Sequence, residues 1–254
     1  MSRETVLLER EGGVALLTMN RPRQRNAFNE RMWHEMRDAL RELLDDRAVR
    51  AIVVTGAPGA FSAGQDLGEM NMERDTEPGF PAFMDLLCTF DKPLLAAVNG
   101  VGVGIGLTML LHCDIVYVAE AARLRAPFVP LGVVPEAASS YLLPLIIGYQ
   151  RAAEVLLTAE WIDAPRAVAL GIASRMTSPA ELLPAIRAKA AEIALQPLGA
   201  LRHTKRLLLA TRAEQVRAAR AREDEAFVER IGCPENLEAI SAFFEKRAPD
   251  FSKL

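Results

Sequence analysis

Four glycines at alternate positions, 100, 102, 104 and 106, constrain the fold of this chain more than any other feature. They follow an apolar run, Leu94 to Val98, that is typical of a buried strand in a parallel sheet. An apolar helix is predicted over about 107–112, and a second buried strand over 114–118. A glycine turn between a strand and a helix presents free backbone N–H groups, and without side chains a ligand can approach the main chain. The segment 92–120 therefore predicts a site that binds its ligand mainly through backbone.

The pattern along the rest of the chain predicts an α/β fold. A hairpin is expected over 6–19, around Glu11-Gly12-Gly13, and a buried strand over 51–55. Helices are predicted over 30–45, 81–90, 137–147, 149–158, 164–170 and 179–195. Repeated strand–strand–helix units before residue 150 place the chain in the α/β class. Gln196-Pro197 marks a boundary between a core over 1–195 and a helical C-terminal region over 196–254, and 71–80 is predicted to be a surface loop.

Composition limits the class of protein. With 254 residues, 50% of them hydrophobic and 25% charged, the chain is long enough for a substantial core. A net charge of −3 argues against a nucleic-acid surface, and no apolar stretch approaches the ~18 residues of a membrane span or forms an N-terminal signal. Three scattered cysteines favour reduced intracellular thiols. We expect a cytoplasmic protein; the terminal Ser252-Lys253-Leu254 matches a peroxisomal address, which leaves the peroxisome as the alternative.

Two segments carry the chemical signal. One is AFSAGQDL, residues 60–67, and the other is the glycine run after Asn99. Each follows a buried strand and leads into a helix, so each can direct an N–H group at a common point. Two N–H groups that converge on one oxygen form an oxyanion hole, which is what a thioester carbonyl needs when it becomes an enolate.

These two segments, with NRPRQRNAFN near the start and SAFFEKRAPDF near the end, resemble the crotonase (enoyl-CoA hydratase/isomerase) superfamily over essentially the whole chain. The resemblance implies a ClpP-like spiral of ββα units with a helical C-terminal region used in oligomerisation. It further implies acyl-CoA substrates, a homotrimer or dimer of trimers, and a role in fatty-acid degradation. No metal or redox cofactor is implied, because coenzyme A arrives as part of the substrate.

Matching the family pattern residue by residue assigns the oxyanion N–H groups to Gln65 and Ile105. Hydratases of the family add water with two glutamates, but the corresponding positions here are Thr108 and Phe128. Neither side chain can abstract a proton from water, so ordinary hydratase chemistry is in doubt.

Glu136 is the remaining candidate base. Its turn, GVVPEAASSY, is similar to the one that carries the catalytic glutamate of peroxisomal-type Δ3,Δ2-enoyl-CoA isomerases. Moving a double bond needs only one base, which removes a proton at C2 and returns it at C4. Apolar neighbours should raise the pKa of Glu136, whereas a helix N-terminus beside it would lower that pKa. The predicted activity is therefore isomerisation; the structural alternative is a carboxylate in the first turn of a helix.

The family pattern also implies a set of residues that bind CoA or substrate: Arg23, Arg25, Ala63, Asp66, Leu67, Thr108, Phe128, Phe244 and Lys246. Guanidinium groups suit phosphate recognition, although Arg23 and Arg25 also fit a solvated loop. Asp66 is more typical of a helix cap or an ion pair than of a catalytic acid. Met70, Met84 and Leu87 are candidates for the acyl pocket, or for ordinary core packing.

Several other functions are weighed against this interpretation. A dinucleotide site is disfavoured because the glycines recur at every second position and no early βαβ unit with an acidic ribose partner is evident. His112 is typical of a core histidine, and no cluster has metal-ligand spacing. The alternatives that stay open are a hydratase or another enolate-forming enzyme, and a catalytically silent acyl-CoA-binding protein.

Overall fold

The structure, a computed structural model, describes residues 3–69 and 78–254. Its strands are β1 Val6–Glu11, β2 Val14–Met19, β3 Ala51–Gly56, β4 Leu94–Val98, β5 Val101–Val103, β6 Ile115–Ala119, β7 Arg123–Arg125, β8 Ile162–Asp163 and β9 Arg175–Thr177. Its α-helices are α1 Glu30–Asp45, α2 Gly79–Thr89, α3 Ile105–Thr108, α4 Ser139–Ile147, α5 Tyr149–Thr158, α6 Ala164–Ala169, α7 Pro179–Ala194, α8 Leu198–Ala210, α9 Ala213–Arg230 and α10 Pro234–Glu245. Short 3-10 segments include Pro22–Gln24, Leu67–Glu69, Met109–His112 and Val129–Leu131.

The strands form a large sheet and a small one. Six strands lie in the order β1-β2-β3-β4-β6-β9, parallel except for the β1–β2 hairpin. The second sheet has the order β5-β7-β8. The α/β class predicted from the sequence is confirmed.

The core explains why the apolar segments take these positions. All five residues of β4 are buried, as expected for a strand covered on both faces. One face of α1 packs against α2 and buries Trp33, Met36 and Leu40; the side chain of Asn29 accepts from Met32 N at 3.1 Å and caps the helix start. On the other side of the sheet, α7 buries Leu182 and Ile186 in a second apolar cluster. Each such side chain contributes about 1.5–3 kcal/mol when fully buried.

Charged groups join the C-terminal helices to the core. Lys205 of α8 is buried. Its Nζ lies 2.8 Å from Asp114 Oδ2 and donates to the carbonyl of Lys92 at 2.7 Å. Arg206 reaches the carboxylate of Asp91 at 2.6 Å. Helix α9 packs against α4, so the C-terminal region contacts its own core. The division at residue 195 and the role of this region in oligomerisation stay predictions.

Some expectations from the sequence are wrong in detail. The glycine run predicted as a turn contains the strand β5, and the helix predicted over about 107–112 begins at Ile105. The helix predicted over 137–147 begins at Ser139, because Ala137 (φ +60°) and Ala138 (φ +58°) are left-handed. An early βαβ unit does exist, since β2 and β3 are parallel and joined by α1. Met70 and residues 71–77 of the predicted loop lie outside the described residues, and the last two residues of that loop belong to α2, which begins at Gly79. Within the described ranges, no helix is both long and apolar enough to span a membrane.

Candidate active site

The two segments singled out in the sequence lie side by side. Ser62 N donates to the carbonyl of Val101 at 3.0 Å, and Val103 N donates to the carbonyl of Ser62 at 2.9 Å. The segment after β3 thus pairs with β5 like a short parallel strand. These hydrogen bonds place the loop over 60–65 beside the turn that follows β5.

Glycine is required where the segments touch. A Cβ on Gly64, whose φ is +91°, would lie 2.8 Å from the carbonyl oxygen of Val103 and 3.8 Å from Gly104 Cα. A Cβ on Gly106 would lie 2.6 Å from the oxygen of Ser62. The distances of 2.8 and 2.6 Å to these two oxygens are shorter than van der Waals contact, so only glycine lets the two backbones approach this closely.

The residues that follow Gly64 and Gly104 carry the predicted oxyanion donors. The parallel bridge between Phe28 and Gln65 uses Gly64 O and Asp66 N, which leaves the N–H of Gln65 unused. Ile105 is the first residue of α3, where an N–H has no acceptor within the helix. Within the described part of the chain, neither N–H has an acceptor. Two free donors on adjoining turns can stabilise an anionic oxygen, although their catalytic role stays a prediction.

Asn26 supports this arrangement and was missed in the sequence. It is fully buried with a left-handed φ of +57°, and its Nδ2 donates to Ala57 O at 2.9 Å and Ala60 O at 2.8 Å. Its carbonyl accepts from Ser62 Oγ at 2.9 Å. Asparagine tolerates left-handed backbone, so an asparagine directly before the apolar Ala27-Phe28 was the available signal.

The other predicted donor residue is held through its side chain. Trp33 Nε1 donates to Gln65 Oε1 at 3.0 Å, which ties the loop to helix α1. The Gln65 side chain is therefore engaged in holding the loop, while its backbone N–H stays free.

Glu136 lies just before α4 in apolar surroundings. Phe128, Val133, Ala137 and Ala138 belong to the same buried cluster as Ile105. Burial raises the pKa of Glu136 to about 8, and the nearby charges of Glu223 and Asp224 act in the same direction. At the start of α4, the N–H groups of Ala138 and Ser140 donate to Glu223 and not to Glu136.

One short helical segment connects Glu136 to the oxyanion turns. Ile105 begins α3, and the 3-10 turn Met109–His112 continues it. At its end, His112 Nε2 lies 2.8 Å from the carbonyl oxygen of Ala137, the residue after Glu136. His112 is buried, as predicted for a core histidine, and burial lowers its pKa to about 4.

The raised pKa of Glu136 predicts a pH-dependent effect on stability. Because the pKa exceeds its ordinary value of 4.5, the folded chain binds more protons than the unfolded chain up to about pH 8. This contribution is complete below pH 4.5 and is lost as the pH rises through 8. In thermal melts, Glu136→Gln should therefore gain melting temperature relative to wild type from about pH 5 to about pH 9. The exposed Glu120→Gln should show no such trend; a constant difference for Glu136→Gln would contradict the prediction.

The residues predicted to bind the nucleotide end lie beside the loop over 60–65. Arg23 and Arg25 are exposed, and the carbonyl of Arg25 accepts from Ala63 N at 2.9 Å. Asp66 Oδ2 lies 2.9 Å from Arg21 Nη1, and its Oδ1 accepts from Gly68 N at 3.2 Å. The ion-pair and cap interpretation of Asp66 thus holds in the structure. Leu67 begins the 3-10 turn Leu67–Glu69 and is half-buried.

The remaining predicted contacts fall into two groups. Thr108, Phe128, Met84 and Leu87 are buried, and the Thr108 hydroxyl has no hydrogen-bond partner among the described residues. Phe244 and Lys246 are exposed at the end of α10, where Phe244 packs edge-on against Phe243. The structure does not itself bring these two to the oxyanion turns, and their contact with CoA stays a prediction.

No metal-binding cluster of His, Cys, Asp or Glu occurs in the part of the chain that the structure describes. Cys88, Cys113 and Cys233 are free thiols. Burial raises the pKa of Cys88, and raises that of Cys113 to about 12, so neither is an activated nucleophile at neutral pH.

Comparison with known proteins gives a consistent result. Residues 9–253 match a family model described as enoyl-CoA hydratase/isomerase. A probable enoyl-CoA hydratase of Mycobacterium bovis is 33% identical, with 99% of each chain covered; a 2,3-dehydroadipyl-CoA hydratase of Escherichia coli is 33% identical, with 97% of this chain and 98% of that protein covered. The crystal structure of an enoyl-CoA hydratase/isomerase from Pseudoalteromonas atlantica has a TM-score of 0.94 at 36% identity, covering 98% of this chain and all of that one.

Proposed function

The chain belongs to the enoyl-CoA hydratase/isomerase family, and within that family we propose that it shifts the double bond of a 3-enoyl-CoA to give the 2-trans-enoyl-CoA. The observation that carries this proposal is the identity of the candidate bases. Of the three candidate positions only Glu136 carries a carboxyl group, and burial raises its pKa; Thr108 and Phe128 stand where the family pattern has the two hydratase glutamates.

The proposed reaction needs one base and two N–H donors. The Glu136 carboxylate takes a proton from C2, and the electron pair of that C–H bond forms the enolate. The N–H groups of Gln65 and Ile105 stabilise the negative oxygen as it develops. The protonated Glu136 then gives its proton to C4. The double bond now lies between C2 and C3, and the Glu136 carboxylate is restored. Atoms and charge balance without water.

The raised pKa suits this cycle. A base with a pKa near the working pH removes and returns a proton with comparable ease. With its pKa raised to about 8, Glu136 is mostly protonated at pH 7 in the free enzyme, and a minor fraction is the carboxylate that acts as base. The value of kcat/KM for a 3-enoyl-CoA is therefore expected to rise as the pH passes through about 8 and to level off above it.

Turnover of an isotopically labelled substrate tests the proposal. A 3-enoyl-CoA with two deuterium atoms at C2 should be converted to a 2-enoyl-CoA that carries part of this label at C4, as measured by mass spectrometry. Transfer within the molecule is expected because one carboxyl group handles both positions. Failure to convert the 3-enoyl ester would overturn the proposal.

A hydratase is the second candidate, and the names of the relatives favour it. Against it stand Thr108 and Phe128, so hydration of a 2-enoyl-CoA would need a carboxylate from elsewhere in the chain. A silent acyl-CoA-binding protein would bind CoA esters, as measured by calorimetry, without turnover of either ester.

The remaining proposals concern setting and partners. We expect an acyl-CoA thioester as the substrate, with no metal or redox cofactor, no nucleic acid and no membrane insertion. A homotrimer or dimer of trimers and a cytoplasmic location, with the peroxisome as alternative, remain proposals.

A further inference from the structure

The turn that carries Glu136 is held by a residue from the C-terminal region. Glu223 of α9 is buried, with 5% of its surface exposed. Its Oε2 accepts from Ala138 N at 2.6 Å and its Oε1 accepts from Ser140 N at 2.8 Å. Both carboxyl oxygens are thus directed at the backbone directly after Glu136.

This turn needs support from outside, because its backbone is strained. Ala137 and Ala138 are both left-handed, a conformation that residues other than glycine rarely adopt and that persists only where the surrounding structure holds it. His112 contacts the carbonyl of Ala137 at 2.8 Å, while Glu223 takes up the following N–H groups. The two buried side chains thus bind the turn at its carbonyl group and at its N–H groups.

We propose that Glu223 is a positioning residue for Glu136, because its two hydrogen bonds hold the left-handed turn that orients the Glu136 carboxyl group. The catalytic part of this inference rests on the proposed function of Glu136 as the base. It gives helix α9 a direct part in the active site of its own chain.

The charges around the turn define what a variant would change. Glu223 and Asp224 of α9 both raise the pKa of Glu136. From the 3-10 turn after α3, His112 is neutral at pH 7 because burial lowers its pKa to about 4. Arg220, one turn before Glu223, pairs with Asp85 at 2.7 Å. Asp224 therefore offers a control that alters charge without altering hydrogen bonds to the turn.

Four variants separate positioning from charge. Glu223→Gln should lower kcat for a 3-enoyl-CoA by about 10- to 100-fold with little change in KM, since a displacement of about 1 Å can cost ~10²-fold. It should also move the acidic limb of the pH–rate profile to lower pH. Asp224→Asn should move that limb in the same direction while kcat stays near wild type. Glu225→Gln, an exposed carboxylate on the same helix, should change neither.

The fourth variant is Glu223→Asp, which keeps the charge but shortens the reach. It should lower kcat and leave the acidic limb near its wild-type pH. This variant decides the matter if Glu223→Gln does not fold. The inference would be overturned if Glu223→Asp had the wild-type kcat and if Glu223→Gln, provided that it folds, had it as well.

A measurement without turnover distinguishes the two proposals. Carbon-13 NMR titration of Glu136 and amide hydrogen exchange at 138–140 are compared between wild type and Glu223→Gln or Glu223→Asp. Faster exchange in the variants supports the inference even if the wild type converts no enoyl ester, in which case only the proposed function fails. Unchanged exchange and unchanged titration overturn it.

Discussion

Replacing Glu136 by glutamine should reduce the isomerisation of a 3-enoyl-CoA by about 10²–10⁴-fold, the usual contribution of a general base. Glutamine has nearly the same size and shape as glutamate but cannot take up a proton from C2. Because substrate binding rests on other groups, kcat should fall while KM changes little. Steady-state rates with the 3-enoyl ester, measured near pH 8, check this prediction.

Stability and a matched variant serve as controls for Glu136→Gln. The variant should be at least as stable as wild type at high pH, because it removes a carboxylate that burial makes costly to ionise. Loss of activity could then not be attributed to unfolding. Glu120→Gln, which changes an exposed glutamate in the same way, should keep wild-type activity. Undiminished turnover in Glu136→Gln would mean that Glu136 is a structural residue and that the base lies elsewhere.

Gly64→Ala should lower kcat by about 10²–10³-fold, which is the typical effect of losing one oxyanion donor. Substituting Gln65 or Ile105 would not remove a backbone N–H, so the turn itself has to be changed. A Cβ at Gly64 would lie 2.8 Å from the carbonyl oxygen of Val103, so the loop must move away from β5. The N–H of Gln65, the next residue, would move with it. Turnover of the 3-enoyl ester and calorimetric binding of its CoA ester measure kcat and affinity separately.

Gly59 provides the matched control for backbone strain. Its φ of +110° is also left-handed, but a Cβ there would meet no atom within 4 Å. Gly59→Ala should therefore share the conformational strain of Gly64→Ala without displacing the oxyanion loop. Equal losses of kcat in the two variants would indicate a general loss of folding. A wild-type kcat in Gly64→Ala would mean that the N–H of Gln65 is not an oxyanion donor.

The start of α4 shows where prediction from local sequence patterns fails. Alanine favours helix, so Ala137 and Ala138 were predicted to be helical. Both are left-handed, held by His112, 25 residues away from Ala137, and by Glu223, 85 residues away from Ala138. A local pattern contains no information about such partners, and for this reason the support of Glu136 was not predicted.

The sequence by itself predicted the α/β class and most of the longer helices and strands, and it indicated a site formed by the backbone of two glycine-containing segments. Local effects explain these features. The burial of β4, the backbone freedom of the alternating glycines and the helix cap at Asn29 each depend mainly on residues close by in the sequence. Only the tertiary structure decided that Gly64 lies against Gly104, with two free N–H groups beside them, and that α9 supplies Glu223 to the turn after Glu136. These arrangements depend on contacts between distant segments, where the packing of the whole chain outweighs the preference of any single residue.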